Sequence, residues 1–280
     1  MTDGPVEEPP VPPGVDPEVP SPARLYDYYL GGRINYRADR DAAERIRAGL
    51  PEISDMAWAN RGFHQRAAKW LAGTAGITQF IDIGSGLPTQ GNTHEVVGAI
   101  TPFARVVYVD NDPMVRAFAG DLLTRRFTTF VFGDLREPDA VLGDRLLRSL
   151  IDFTEPIGLL MTAVMHFVAD DVDPWGLVSR YVSALAPGSY LALSHVTADN
   201  VPPQAVRTGL AEYARATENI HLRPRADVER FFAGLDLVPP WPGAAPRLVF
   251  MGEWGADDPE TADSDGSHWG YAAVGRVPGE

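Results

Sequence analysis

From residue 79 onward, short apolar runs alternate with segments of helical periodicity. The apolar runs predict strands at 80–84, 105–110, 128–134, 156–165, 189–197, 235–238 and 269–277. The run at 156–165 is almost continuously apolar, which is typical of a strand buried on both faces. Strands that are separated by helical segments predict a mostly parallel sheet with right-handed crossovers. The pattern therefore indicates an α/β fold.

The chain before residue 77 carries helical patterns instead. A short helix is predicted near residue 25, ending at Gly31 and Gly32, and a second helix from about 39 to 48. The core-facing stripe of a third helix consists of Phe63, Ala67, Trp70 and Leu71. We predict a helical extension, or lid, over 23–76 and a main domain over 77–280.

Two segments have the composition of irregular structure. Residues 1–22 contain eight prolines together with acids and glycines, and they predict a disordered or extended tail. Residues 239–268 are rich in proline, glycine and acids, and they predict a long loop.

Charge then narrows the choice of partner. The formal net charge of −14 includes five acids within 1–21 and six within 250–266, so the remaining chain is close to −3. A basic footprint for nucleic acid is absent, and we expect a small-molecule partner instead. The sequence lacks an apolar run of membrane-spanning length, a signal peptide and cysteine. We expect a cytoplasmic protein without a membrane partner, and a homodimer is compatible with the sequence.

The most informative stretch is QFIDIGSGLPTQGNTH at 79–94. A predicted strand ends in Asp82, a Gly-Ser-Gly turn follows at Gly84 to Gly86, and a helix opens near Asn92. Asn92 and Glu95 have capping-box spacing. A strand that meets a helix through a glycine turn cradles a phosphate or a nucleoside in doubly wound folds.

Three acids, Asp82, Asp110 and Asp134, fall at the carboxyl ends of successive predicted strands. Ligands bind at these ends in open α/β sheets. Asp110 can accept hydrogen bonds from both hydroxyls of a ribose. Asp134 can accept from an exocyclic adenine amine, with the Leu135 N–H meeting a ring nitrogen. Together these residues predict a nucleoside site.

The glycine turn also separates two nucleoside cofactors. A dinucleotide fingerprint needs a glycine at the sixth position, where this chain has Thr89, and an acid about 20 residues on. Asp110 lies 26 residues after Gly84, and the stretch PTQGN delays the helix. Asp82 would repel a phosphate but suits a cationic amino-acid group. These features favour S-adenosylmethionine over NAD.

These motifs resemble those of class I S-adenosylmethionine-dependent methyltransferases. The chain is most similar to a bacterial S-adenosyl methyltransferase family that was formerly a domain of unknown function. The resemblance lies in residues 21–44, 60–63, 80–96, 104–115, 133–138, 165–174, 185–199 and 271–276. It implies a Rossmann-like, seven-stranded, mostly parallel sheet with helices on both faces. The last strand would run antiparallel between strands five and six.

The resemblance also implies site residues. Positions that match the family's motifs place Asp82, Gly84 and Gly86 in the glycine motif, Asp110 on the ribose, and Asp134 with Leu135 around the adenine. Pro88 stands where the general motif has a third glycine. The full predicted cofactor set is Arg61, Asp82, Gly84, Ser85, Gly86, Asp110, Asn111, Asp134 and Leu135, with Arg61 pairing with the methionine carboxylate.

Residues for the acceptor and for catalysis are harder to identify, because methyl transfer needs a base only when the acceptor loses a proton. His166 is the candidate base, and packing beside Phe167 is its alternative role. Candidate substrate and lid residues are Tyr26, Tyr29, Asn35, His94 and His195. The acids at 170, 171 and 173 lack a metal-binding spacing, so we predict no metal.

The sequence leaves three functional hypotheses. The first is a methyltransferase that acts on a small-molecule acceptor. The second is a non-catalytic S-adenosylmethionine-binding regulatory protein. The third is an NAD(P)-dependent oxidoreductase, which the loop spacing disfavours. The acceptor atom, O, N or C, is left open by the sequence.

Overall fold

The computed structural model describes residues 8–88, 91–120, 126–259 and 265–279. A single mixed sheet occupies the centre. Its strands are β1 (Gln79–Ile83), β2 (Arg105–Asp110), β3 (Thr128–Phe132), β4 (Gly158–Thr162), β5 (Tyr190–Val196), β6 (Asp236–Leu237), β7 (Val249–Phe250) and β8 (Gly270–Arg276). Their order is β3-β2-β1-β4-β5-β8-β6, with β7 also paired to β8. Strands β1 to β5 are mutually parallel, and β8 is antiparallel to each of its partners.

This topology confirms the mostly parallel sheet with its last strand inserted antiparallel between strands five and six. Two details differ from the predicted strands. The short strand β7 lies within the predicted loop over 239–268, where Val249 pairs with Ala272 and Phe250 with Tyr271. The predicted strand over 156–165 ends early, because Ala163 adopts a φ of 52° and leaves the extended conformation.

Ten α-helices have described bounds: α1 (Pro22–Tyr29), α2 (Arg37–Gly49), α3 (Ile53–Gly73), α4 (Thr93–Gly98), α5 (Pro113–Phe118), α6 (Pro138–Gly143), α7 (Arg145–Leu150), α8 (Pro174–Ser183), α9 (Pro203–Tyr213) and α10 (Arg225–Glu229). The capping box at the start of α4 is confirmed, since the Glu95 carboxylate accepts from the Asn92 backbone N–H at 2.8 Å. No helix in the described ranges combines the length and the apolarity needed to cross a bilayer.

The core divides between the two faces of the sheet because neighbouring residues of a strand point to opposite sides. In β1, Phe80 packs on one face and Ile81 on the other. The predicted stripe of α3 packs on the Phe80 face through Phe63, Ala67 and Leu71. This packing holds α3 beside the carboxyl ends of the strands. A third, smaller cluster joins α1, α2 and α9.

The described part of the N-terminal segment, residues 8–20, is irregular and contacts the body of the molecule. The Tyr36 hydroxyl donates to the carbonyl of Pro10 at 3.0 Å, and the Thr217 N–H donates to that of Pro20 at 2.9 Å. Arg24, buried against Asp39, also donates to the carbonyl of Asp16 at 3.3 Å. The composition of the segment does not show these contacts, because the hydrogen-bond donors that a proline-rich segment lacks are supplied by the body of the molecule. Residues 1–7 lie outside the described residues, and the division of the chain at residue 76 stays a prediction.

Candidate active site

A cavity of about 280 Å³ opens at the carboxyl ends of the central strands. We call the lining from the turn after β1 and from the ends of β2 and β3 the near half. We call the lining from α1, α3, the segment after β4 and the segment after α9 the far half. The far half is lined by Tyr26, Tyr29, Met56, His166, Phe167, Tyr213 and Ile220.

The glycine turn brings backbone to the floor of the near half. Gly84 and Gly86 have φ values of 68° and 65°, a conformation that favours glycine. A Cβ on Gly84 would lie 2.1 Å from a methyl carbon of Val164, so this position has no room for a side chain. The N–H groups of Gly84 and Ser85 donate to the carbonyl of Val109 at 2.8 and 3.2 Å, which fixes the turn to β2. These features fit a ligand that contacts the backbone closely.

Asp110 supports the same turn from the end of β2. One of its carboxylate oxygens accepts from the Gly86 N–H at 2.8 Å, and the other accepts from the Asp112 N–H at 2.9 Å. Burial raises the pKa of Asp110 to about 6 in spite of these hydrogen bonds. Because a carboxylate offers about four lone pairs, Asp110 keeps acceptor capacity for a further donor, as the predicted ribose contact requires.

Asp134 also reaches the cavity, but its carboxylate is already occupied. The Arg136 guanidinium donates to both oxygens, at 2.9 Å and 2.6 Å, and its backbone N–H donates at 2.8 Å. Burial opposes ionisation, yet the hydrogen bonds from Arg136 hold the pKa of Asp134 below its usual value. Arg136 also pairs with Glu218 at 3.1 Å. The predicted contact with an adenine amine therefore requires Arg136 to release one oxygen. Sequence reasoning overlooked Arg136, although a basic residue two positions after the acid was the available signal.

The acid that ends β1 begins a hydrogen-bonded series of four residues, which we call the relay. Thr93 donates to Asp82 at 2.6 Å, His64 Nε2 lies 2.8 Å from the Thr93 hydroxyl, and Thr162 Oγ1 lies 2.9 Å from His64 Nδ1. Burial raises the pKa of Asp82 to about 6. Burial, and then the Arg61 charge, lower the pKa of His64 to about 3, so the imidazole is neutral. Sequence reasoning identified Asp82 but missed the other three residues.

Helix α3 delivers three polar side chains to this site. Asn60, Arg61 and His64 line the cavity, and they occupy one turn beside the apolar stripe of the helix. The Asn60 amide donates to the Tyr26 hydroxyl at 2.8 Å, and its carbonyl oxygen accepts from the Ser194 hydroxyl. The available sequence signal for Asn60 and His64 was their i, i+4 spacing beside the apolar stripe of the helix. Arg61 lies at the cavity as predicted, and its contact with a methionine carboxylate stays a prediction.

His166 lies in the wall of the far half. Its ring centroid is 4.3 Å from that of Phe167, so it packs beside this residue and also lines the cavity. Burial, and then the neighbouring His195 and Arg223, lower the pKa of His166 well below its ordinary value. The imidazole is therefore neutral and has a lone pair that can accept a proton. Its catalytic role stays a prediction.

Three predicted substrate or lid residues lie elsewhere. His195 is buried, with Nδ1 2.7 Å from the carbonyl of Val196 and Nε2 2.8 Å from the Arg223 guanidinium. His94 Nδ1 contacts the Tyr108 hydroxyl at 2.8 Å. The Asn35 amide donates to Asp27 at 2.8 Å. None of the three lines the cavity within the described residues, because each is drawn into a local polar contact that sequence spacing does not display. Tyr26 and Tyr29 do line it.

Arg223 fixes the segment that follows β4. Its buried guanidinium donates to the carbonyls of Met165 and Val168, at 3.0 Å and 2.6 Å, and to the Asp170 carboxylate at 2.6 Å. Asp173 accepts from the Gly176 N–H at the start of α8. The acids at 170 and 173 therefore have structural partners. In the ranges that the structure describes, no group of side chains is arranged to hold a metal ion.

Comparison with known proteins identifies this arrangement. A family model described as S-adenosyl methyltransferase matches residues 10–278. The chain belongs to this family. The methyltransferase is similar to a DUF574 family protein from Streptomyces avermitilis, with 38% identity, 94% of this chain and 99% of that chain covered, and a TM-score of 0.87. It is also similar to a putative methyltransferase from Thermobifida fusca, with 37% identity, 95% and 98% covered, and a TM-score of 0.86. A comparison with functionally curated proteins finds no match.

Family membership makes the protein an S-adenosylmethionine-dependent methyltransferase and overturns the nicotinamide alternative. When bound, S-adenosylmethionine supplies a methyl group on a positively charged sulfur. The residues that fit the cofactor are the glycine turn, whose backbone is free of side chains, and the acids Asp82 and Asp110. The structure thus places all nine predicted cofactor residues at one cavity, while their individual contacts stay predictions.

Proposed function

We propose that the methyltransferase acts on a small-molecule acceptor that occupies the far half of the cavity. The observation that supports this proposal is the continuity of the cavity from Asp110 to Phe167 and Tyr213. A cofactor at the strand ends and an acceptor beside the aromatic residues would share one cavity. Holding two reactants in line accounts for much of the acceleration of a displacement reaction.

Different residues would bind the cofactor, exclude water and accept a proton. The glycine turn, Asp110 and Asp82 would bind and orient the cofactor, while Tyr26 and Phe167 would exclude water from the acceptor. His166 would accept a proton from an acceptor that must lose one. Its lowered pKa keeps the imidazole unprotonated throughout the neutral range and also makes it a weak base, so His166 suits an acceptor that loses its proton readily.

The test begins with calorimetric titration of the purified protein with S-adenosylmethionine, S-adenosylhomocysteine and NAD in parallel. We expect saturable binding of the first two compounds and none of NAD. An acceptor panel then follows, with release of S-adenosylhomocysteine as the readout and His166→Gln as the variant that should slow turnover without weakening cofactor binding.

Two results would contradict the proposal. Binding of NAD alone would show that the nucleoside site has been assigned to the wrong cofactor. Cofactor binding without release of S-adenosylhomocysteine across neutral, acidic and basic small molecules would favour the non-catalytic binding protein.

A further inference from the structure

The relay joins the acid beside the glycine turn to a hydroxyl at the end of β4. Asp82 and His64 are each 3% exposed, and Thr93 is fully buried. Thr162 is partly exposed and lines the cavity together with Asp82 and His64. A change at the buried acid can therefore reach a group that a ligand touches.

The number of available hydrogens fixes which group donates in each hydrogen bond of the relay. An ionised Asp82 has no hydrogen, so Thr93 must donate to it. The single hydroxyl hydrogen of Thr93 is then used, so His64 must donate from Nε2 to Thr93. A neutral imidazole that carries its hydrogen on Nε2 has a bare Nδ1, so Thr162 must donate to that nitrogen. Three bonds consume three hydrogens, and this arrangement is the only one that satisfies all of them.

The consequence appears at the cavity. Because the Thr162 hydroxyl donates its only hydrogen to His64, it can act toward a ligand only as a hydrogen-bond acceptor. We infer that Thr162 is a specificity-determining residue, and that the methyl acceptor bound beside it carries an O–H or N–H group that donates to its hydroxyl oxygen. This inference rests on the proposed function, because it assumes that the acceptor occupies the cavity.

Protonation of Asp82 reverses the relay. One proton enters at Thr162 from the cavity, each hydrogen shifts by one bond, and Asp82 gains one hydrogen. His64 then carries its hydrogen on Nδ1 and donates to Thr162, whose own hydrogen is free to point into the cavity. The ionisable groups that face Asp82 are Arg61 and His64 from α3 and Tyr108 from β2. The pKa of Asp82, near 6, places the reversal just below neutral pH.

The tautomer of His64 reports the direction of the relay without any acceptor. Long-range ¹H–¹⁵N correlation spectra of the full-length protein distinguish Nε2–H from Nδ1–H, and His64→Gln assigns the signals. At pH 7.5 we expect Nε2–H for His64, and at pH 5.0 we expect Nδ1–H. His195 is a control in the same spectrum: Arg223 can only donate to its Nε2, so its hydrogen stays on Nδ1 at both pH values.

Finding Nδ1–H on His64 at pH 7.5, or no change by pH 5.0, would overturn the inference. The variant Thr93→Val, which interrupts the relay, should abolish the change in tautomer, and Thr93→Ser should restore it. If Thr93→Val behaves like the unsubstituted protein, Asp82 does not control the direction. If Thr93→Val fails to fold, the pH comparison on the unsubstituted protein and Thr93→Ser still decides the question.

Specificity is tested with phenol and anisole, since these probes differ by the donor hydrogen that the inference requires. In protein saturated with S-adenosylhomocysteine at pH 7.5, we expect phenol to bind at least fivefold more tightly than anisole. The variant Thr162→Val should remove that preference. Equal binding of the two probes, or no binding of either up to about 10 mM, a range in which both dissolve and which reaches beyond the millimolar affinities of weak ligands, would overturn the inference. Failure of S-adenosylhomocysteine to bind would instead contradict the proposed function, and the tautomer measurement would still stand.

Discussion

Asp110 has two tasks at the residue scale, because it holds the glycine turn as well as facing the cavity. Replacing it by alanine removes the acceptor for the Gly86 N–H and the predicted ribose contact together. Hydrogen bonds to charged groups contribute roughly 1.5–3 kcal/mol, so we expect S-adenosylmethionine binding to weaken about ten- to a hundredfold. Calorimetric titration measures the change. Asp236→Ala, at an exposed site on β6, is the control that should bind normally; an unchanged affinity in folded Asp110→Ala would show that the nucleoside lies elsewhere.

Asp82 should make cofactor binding depend on pH. If its carboxylate pairs with the ammonium group of the cofactor, only the ionised form binds well. Since the pKa is about 6, ionisation is nearly complete at pH 7.5 and falls to about a tenth at pH 5. We expect affinity to decrease roughly tenfold from this residue as pH falls, with Asp110 adding to the effect.

The variant Asp82→Asn separates the two acids. It should bind more weakly at pH 7.5 and lose part of the pH dependence, whereas Asp236→Asn should retain all of it. The measurement is calorimetric titration in matched buffers at the two pH values. A pH dependence of the same size in Asp82→Asn would assign the whole effect to Asp110 and leave Asp82 without contact to a cation.

At the scale of elements, the glycine turn offers a matched set of substitutions. Gly76, Gly84 and Gly86 all have φ near +70°, but only Gly84 would also bring a Cβ against Val164. Alanine at Gly76 or Gly86 should lower the free energy of unfolding by about 1–2 kcal/mol, the cost of the left-handed conformation. Alanine at Gly84 should lower the free energy of unfolding by about 1–3 kcal/mol more than that, because its Cβ would overpack the core against Val164. Urea denaturation measures all three.

A double-mutant cycle isolates the clash. In a Val164→Gly background, which also removes the Val164 Cβ that would lie 2.6 Å from the new side chain, Gly84→Ala should cost about as much as Gly86→Ala does in the unsubstituted protein. If Gly84→Ala still lowers the free energy of unfolding by more than Gly86→Ala does in that background, crowding by Val164 is not the cause of the difference.

At the scale of the whole molecule, the N-terminal segment closes one side of the cavity. Gly14, Val15 and Asp16 line it, and the segment is tied to the body at Tyr36 and Thr217. Deleting residues 1–20 should leave the sheet folded but weaken S-adenosylmethionine binding about tenfold, since the net loss corresponds to roughly one hydrogen bond. Deleting residues 1–7 removes none of these contacts and should bind normally. Equal affinities for the two deletions would show that the segment does not cover the cofactor.

The features that the sequence predicts correctly are those that depend on residues close together in the chain. The order of strands and helices, the capping box at Asn92 and the stripe of α3 arise from neighbours within a few turns, and each is confirmed. Contacts between distant segments are not encoded in that way. His64 meets Thr162 across 98 positions, and Arg66 donates to the carbonyl of Trp254 across 188. A periodicity cannot report such pairs, because it records which face is buried and not what lies opposite.

The α/β fold, the family, and the gathering of Asp82, Asp110 and Asp134 at one edge of the sheet could all be predicted from local patterns in the sequence. Parallel strands must end on the same side, so three acids at three strand ends can only converge. Tertiary structure alone decided which of these acids is free to bind. In the folded protein, Arg136 donates to both oxygens of Asp134, and Arg223 donates to His195. Asp82 is linked to Thr162 through Thr93 and His64. Burial then moved the pKa values, because desolvation depends on the surrounding packing and not on the identity of the residue.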